Sequence, residues 1–325
     1  MALFTRLGEA DLADLADAFE LGAVRGVQPI AAGTINSNFA ADTERGRWFI
    51  RVNEGKSEAD VAWEAQLVGA LAQGGVITPP PRIARDGRPY APLPGGDATK
   101  WVSVFPWCAG RHVGPGEVTP GIAEAFGDAL ARLHRVGLDL PAAWRRHSIY
   151  DHDHLVARYA RFSASPDPAL ARAIAVIGEG LAAAAAATAV RRGASHGLIH
   201  GDLFRDNVLW DAGRLTAILD FEQASGGSLA YDLAVCVNDW CWDGGFRRDA
   251  AAALLAGYQR VRPLTAADRE AFLIEVPAAA TRFTVTRITD VYLARVDNPD
   301  KDFRAFLARC DAWRGPALGE LGSLL

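Results

Sequence analysis

The sequence predicts an α+β chain in two unequal parts: a small, mainly antiparallel β part over residues 1–106 and a larger, mainly helical part over residues 107–325. Three observations predict it. Short apolar runs bounded by turn residues recur before residue 106, and helical periodicity takes over from Thr119 onward. Within the helical region one polar-rich strand pair stands out, carrying Asp202, Asn207 and Asp220 at spacings of 5 and 13 residues.

The elements follow in order. Residues 26–30 read as a strand that enters a small-residue loop over 31–38, and residues 39–43 and 48–53 read as a hairpin around Glu44-Arg45-Gly46-Arg47. Ser57 is an N-cap with Asp60 at the third helical position, and Gly74-Gly75 ends that helix. Val61, Val68 and Leu71 mark one face of it, and Glu64 falls on the same face. Prolines at 79–81 and the segment 92–96 are local breaks, after which residues 100–105 form the strand that closes this part. Ile122, Phe126, Leu130 and Leu133 stripe a helix that starts near Thr119-Pro120. The alanine-rich run over 180–190 reads as one buried helix. Leu198-Ile199 is a short strand that delivers His200 and Asp202 to a loop; residues 207–210 and 215–219 form strands joined by Asp211-Ala212-Gly213-Arg214.

These positions carry a chemistry. An aspartate that accepts a hydroxyl proton, an asparagine five residues on that holds a metal ion, and a second aspartate beyond the next hairpin that also binds metal are the parts from which kinases build a phosphoryl-transfer site. Asp202 is therefore the expected base, and Asn207 and Asp220 are the expected ligands of Mg2+, a hard cation that takes oxygen donors. Asp and Asn are also ordinary turn residues, but that alone does not account for residue type, spacing and strand context together. The loop over 31–38 can bring backbone amides to the ATP phosphates, which makes Gly33, Asn36, Ser37 and Asn38 nucleotide-binding candidates; a plain hairpin connection is the alternative. Glu64 on an apolar stripe needs a cationic partner. Arg51, on the strand where kinases place a phosphate-binding lysine, supplies one, either for the nucleotide or as a purely structural pair. Lys56 is a second candidate for the phosphates, read as a solvated charge. Residues 106–110 read as a hinge, with the backbone of Trp107 available to adenine. His134 and His196 read as satisfied structural histidines, and His200 as a brace for the loop.

With these residues in place, the chain resembles the aminoglycoside phosphotransferase-like kinases, which share the bilobal protein-kinase fold. The resemblance covers nearly the whole chain, and its most specific marks are His200-Gly201-Asp202 with Asn207, and Leu219-Asp220-Phe221. It implies ATP and Mg2+ as cofactors, a small β N-lobe and a larger helical C-lobe. Asn36-Ser37-Asn38-Phe39 and segments over 230–241, 257–264 and 282–287 are similar to the branch of that family acting on homoserine. That narrower likeness implies phosphorylation of the homoserine hydroxyl, a step of threonine biosynthesis. Homoserine has a carboxylate and an ammonium near its hydroxyl, so Arg282 is the expected carboxylate ligand and Asn238 and Asp239 the expected ammonium ligands. Arg287, five residues past Arg282, lies off the same helical face. Asp232, in Tyr231-Asp232-Leu233-Ala234, reads as a brace for the catalytic loop, and Trp240 and Trp242 as core or pocket wall. Two alternatives stand beside this reading. One is a kinase of the same fold acting on another amino alcohol, a choline-like amine or an aminoglycoside; the other is a regulatory nucleotide-binding module, suggested by Arg51 in place of lysine.

Composition narrows the classes further. The 325 residues are 50% hydrophobic, enough for one or two cores, and a net charge of −5 with a pI near 5.8 gives no footing for nucleic-acid or anionic-membrane binding. Cys108, Cys236, Cys241 and Cys310 show no metal-ligand spacing, and no secretory signal is legible. The expected setting is cytoplasmic, with a small-molecule amino-alcohol partner and a monomeric or homodimeric state.

Overall fold

A computed structural model describes residues 5–30, 36–93 and 99–325. The chain divides into two units, Met1–Gly110 with Leu209–Asp211 and Thr216–Glu222, and Arg111–Val208 with Ala212–Leu215 and Gln223–Leu325. A division at 106/107 overlooks the hairpin segments that cluster with the first unit.

The first unit opens with α1 (Glu9–Ala18), a helix that the sequence reading missed because its apolar pattern is weak. A sheet then runs through β1 (Val24–Ile30), β2 (Ser37–Thr43), β3 (Gly46–Asn53), β4 (Ala91–Leu93) and β5 (Lys100–Pro106), in the order β1-β2-β3-β5-β4, with neighbouring strands antiparallel. Between β3 and β4 comes α2 (Glu58–Gln73), begun by the Ser57 side chain accepting the Asp60 N–H at 3.2 Å and ended at Gly74.

Alternation along β3 sets the chemistry of this unit. Phe39, Ile50 and Val104 lie across from one another in register, and with Val52 and Val102 they bury against Leu15 and Phe19 of the α1 region. Each such side chain contributes roughly 1.5–3 kcal/mol on leaving water. Because strand side chains alternate, Ile50 and Val52 on one face put Arg51 on the other. There it meets Glu64 of α2, whose neighbours Val61, Ala65, Leu67, Val68 and Leu71 are buried.

The second unit is built from α3 (Pro120–Asp139), α4 (His152–Ala160), α5 (Ala171–Ala186) and α6 (Thr188–Gly193), then β6 (His196–Ile199). After the hairpin β7 (Val208–Asp211) and β8 (Arg214–Ile218), whose residues are shared between the units, come β9 (Ser225–Ser228), α7 (Leu229–Trp240), α8 (Arg248–Val261), α9 (Ala266–Arg287), α10 (Phe303–Trp313) and α11 (Pro316–Gly322). Strand β9, absent from the sequence reading, pairs antiparallel with β6 and so fixes the entry to the 200–207 loop. Helices α3 and α8 approach so closely that a Cβ at Gly127 would collide with the Leu254 carbonyl, and one at Gly257 with the Glu124 carbonyl. Only glycine permits that spacing.

The alanine-rich run is not one buried helix. It passes from α5 to α6 with a break at Ala187, and of residues 180–190 only Leu181 and Ala184 are buried. Alanine presents too little apolar area to force burial all round, so the run shows only an i, i+3 stripe to the core. Among the described residues no helix is long and apolar enough to cross a membrane.

Candidate active site

Helix α7 holds the loop that carries Asp202. Asp232 and Asp239 stand seven residues apart on one face of it and grip the loop at two points. Asp232, fully buried, accepts the backbone N–H groups of His200 and Gly201, both at 2.8 Å, and also pairs with His134 Nε2 at 3.1 Å. His134 Nδ1 in turn is hydrogen-bonded to the Tyr258 hydroxyl at 2.7 Å. Burial alone would raise the Asp232 carboxyl, but His134 and the His200 backbone hold it below the usual carboxylate range. Asp239 accepts the Arg205 N–H at 2.8 Å and the Arg205 guanidinium at 2.9 and 3.1 Å. Between these anchors the Trp240 indole N–H donates to the Leu203 carbonyl at 3.2 Å. Asp232→Ala would strand two buried N–H groups and a histidine, so a loss of about 3 kcal/mol or more is expected in a denaturant midpoint measurement.

Held this way, Asp202 is partly open, with its side chain 30% exposed. Its carbonyl accepts the Phe204 N–H at 2.9 Å and the Asn207 side-chain amide at 2.7 Å. Asn207 is thereby oriented by its nitrogen, and no protein group among the described residues bonds to its Oδ1. One Asp202 carboxylate oxygen lies 3.4 Å from Arg282 Nη1. Arg282 comes from α9 and is only 3% exposed. The Tyr150 ring lies 4.1 Å from its guanidinium carbon and the Phe283 ring 3.7 Å, and its Nε has no hydrogen-bond partner. Arg287 points elsewhere, donating to the Asp302 carbonyl and resting over Phe306.

The first unit holds a charged chain of its own. Arg51 Nη1 donates to Glu64 at 2.8 Å, and its Nη2 lies 3.6 Å from Asp220. Lys56 is no solvated charge: it reaches Glu64 and Glu222, both at 3.0 Å, and Glu222 also accepts the Asn36 amide at 3.2 Å. Burial works against the charge on Arg51, yet Glu64, Asp220 and Glu222 raise it above the ordinary arginine range; Glu64 and Glu222 likewise raise Lys56. Two cations, Arg51 and Lys56, thus face the carboxylates of Glu64, Asp220 and Glu222. Asp220 adopts a left-handed backbone with φ of 65°. For a non-glycine residue that conformation is strained, and such strain gathers at functional positions.

Several expected site residues are committed elsewhere. The Asn238 amide donates to the Ala234 and Val276 carbonyls, while its oxygen accepts the Trp313 indole N–H at 2.9 Å, all in full burial. It cannot face an ammonium group. Asp239 is occupied by Arg205, as above, so the expected ammonium pair is not formed by these two. The buried Ser37 hydroxyl donates to Glu54 at 2.7 Å and accepts the Thr5 N–H at 3.0 Å, which ties it to the fold rather than to a phosphate. The Trp107 N–H is spent on the Arg47 carbonyl at 3.1 Å, and its ring lies 4.4 Å from the Arg47 guanidinium. Asn38 sits in β2 opposite Arg51, and Gly33 lies outside the described residues. Trp240 is core, stacked on Phe126 at 3.9 Å. Glu222 and Tyr150 were missed as members of these clusters, since no short-range pattern announces their pairing with Lys56 and Arg282 more than a hundred residues away.

An antiparallel β unit, a helical unit and an Asp-to-Asn loop followed by a metal-type aspartate define a phosphotransferase acting on an alcohol group. The chain belongs to the phosphotransferase enzyme family, whose model matches residues 26–264. It is 35% identical to a homoserine kinase of Gluconacetobacter diazotrophicus over 89% of each chain. It is also 36% identical to a homoserine kinase of Methylobacterium radiotolerans, over 89% of this chain and 88% of that one. Among solved structures it resembles an amicoumacin kinase in complex with AMP-PNP, Ca2+ and Ami, with a TM-score of 0.72 and 15% identity over 96% of this chain and 93% of that one, which places it in the same protein-kinase-like fold.

Proposed function

We propose that the protein transfers the γ-phosphoryl group of ATP to the hydroxyl of L-homoserine, a step of threonine biosynthesis carried out in the cytoplasm. The observation that carries this reading is the meeting of Asp202 with Arg282: a partly open carboxylate suited to accept a hydroxyl proton beside a buried guanidinium suited to an acceptor carboxylate. The names of the curated relatives support the same acceptor.

In this mechanism Asp202 orients the hydroxyl and takes its proton as the oxygen attacks phosphorus. Arg51, fixed by Glu64, and Lys56, fixed by Glu64 and Glu222, supply positive charge for the nucleotide phosphates. Asn207 Oδ1 and the Asp220 carboxylate are the hard oxygen donors that would hold Mg2+. Bound Mg2+ neutralises charge that develops on the phosphate oxygens. Most of the acceleration then comes from positioning and preorganised charge rather than covalent chemistry.

Coupled ADP release with magnesium-ATP, run on L-homoserine, L-serine, choline, ethanolamine and kanamycin, tests the reading. The highest kcat/KM is expected with L-homoserine. A preference for ethanolamine, choline or kanamycin would keep the kinase and discard the acceptor, and ATP binding without turnover on any of them would favour a regulatory module.

A further inference from the structure

Arg282 does two things at once that a plain carboxylate ligand need not do. One guanidinium nitrogen touches the proposed base, while Nε is buried without a partner. The residue also lines a cavity of about 50 Å³, together with Tyr150, Leu155, Leu181, Tyr231 and Thr281. That space holds a few water-sized groups, enough for a carboxylate. The other arginine on its wall, Arg191, is already held by both Glu275 oxygens at 3.0 Å. The Tyr231 hydroxyl, pushed up to about 12 by burial, stays a neutral donor.

Resting on the function proposed above, we infer that Arg282 is a specificity-determining positioning residue that occupies Asp202 until the carboxylate of an α-amino-acid acceptor draws the guanidinium away. Distances favour the exchange. The contact with Asp202 is 3.4 Å, longer than the ~2.7–2.9 Å of a well-formed charge-assisted bond, whereas an acceptor carboxylate can bind the guanidinium bidentately and supply the partner that its buried Nε lacks. Tyr150 keeps the guanidinium plane in place from one side, and its hydroxyl accepts from Gln223 Nε2 at 3.2 Å. Once relieved of Arg282, the Asp202 oxygen receives the hydroxyl proton as the acceptor oxygen bonds to the γ-phosphorus and the bond from phosphorus to the ADP oxygen breaks. An amino alcohol without a carboxylate leaves Arg282 on the base and is turned over slowly even when bound.

The decisive comparison is L-homoserine against 3-aminopropan-1-ol, the same molecule without its carboxylate, on wild type, Arg282→Gln and Arg282→Lys. Wild type is expected to show a kcat on 3-aminopropan-1-ol roughly tenfold or more below that on homoserine. In Arg282→Gln the homoserine KM rises and the 3-aminopropan-1-ol kcat rises, so the two turnover numbers converge; Arg282→Lys keeps the wild-type order. Tyr150→Ala, at a half-buried position, should shift both acceptors in the same sense by a smaller factor and guards against a misfolded Arg282 variant. Equal losses of kcat on both acceptors in Arg282→Gln and Tyr150→Ala, or a homoserine KM that rises while the 3-aminopropan-1-ol kcat stays put, would overturn the inference and leave the proposed function standing. A wild-type protein that prefers 3-aminopropan-1-ol would overturn that function as well.

Discussion

Asp202→Asn is expected to lower kcat by roughly 10²–10⁴-fold while leaving nucleotide affinity close to wild type. The substitution keeps the shape of the side chain. It also spares the contacts that build the loop, because these use the Asp202 backbone: its carbonyl still accepts from Phe204 and Asn207, and Asp232 still holds the two residues before it. What is lost is an oxygen able to accept a proton. Arg51 and Lys56, the cations proposed to face the nucleotide phosphates, and Glu64 and Glu222, which fix them, are untouched. Coupled ADP release for kcat and a titration with a fluorescent nucleotide analogue for affinity separate the two effects. A kcat within about threefold of wild type would remove Asp202 from the role of base, because a positioned general base contributes far more than that.

The legible parts of this protein were those written in adjacent residues. The Ser57 cap with Asp60, the β2–β3 hairpin, the α3 start at Thr119 and the β7–β8 hairpin are all set by local spacing and turn chemistry, and each was readable within a residue or two. Arg51 with Glu64 was also foreseeable, because strand alternation and a helical stripe each leave one charge where burial demands a partner. Two readings failed in the helical unit for one reason. Asn238 and Asp239 are polar residues in a helix buried along nearly its whole length, and sequence shows the polarity without showing whom it serves. One ties α7 to Trp313 and to the Val276 carbonyl of α9, and the other holds Arg205. In sequence Lys56 reads as a solvated charge because Glu64, eight residues on, is already matched with Arg51, and its other partner Glu222 is 166 residues away. Helix α1 escaped because its only large apolar residues, Leu12 and Leu15, stand among alanines and acids, and the sheet it packs on explains why Leu15 and Phe19 are buried.

Glu64→Gln carries the second large expectation, a loss of about 3–5 kcal/mol, the scale seen when one member of a buried ion pair is removed. The Glu64 side chain is 10% exposed and answers two cations, Arg51 at 2.8 Å and Lys56 at 3.0 Å. A neutral amide takes the short carboxylate contact from Arg51 and one of two from Lys56; Lys56 keeps Glu222 at 3.0 Å, whereas the ion pair left to Arg51 is the longer one to Asp220 at 3.6 Å. The pH dependence gives the assignment its sharpest check. Burial by itself would raise the Glu64 carboxyl, yet Arg51 and Lys56 prevail and hold it below the ordinary value of 4.5. A group whose folded pKa is depressed contributes stability that is fully present above its unfolded pKa and is lost as pH falls through its folded pKa. The stability gap between wild type and Glu64→Gln, read from denaturant midpoints, should therefore be widest from neutral pH down to about 5 and should close below about 4.5 as the unfolded and then the folded carboxyl takes up a proton. A gap that stays constant through that window would mean that the pair does not carry the charge balance of the first unit. In that case Arg51 would be held by its packing between Phe49 and Phe105 rather than by Glu64.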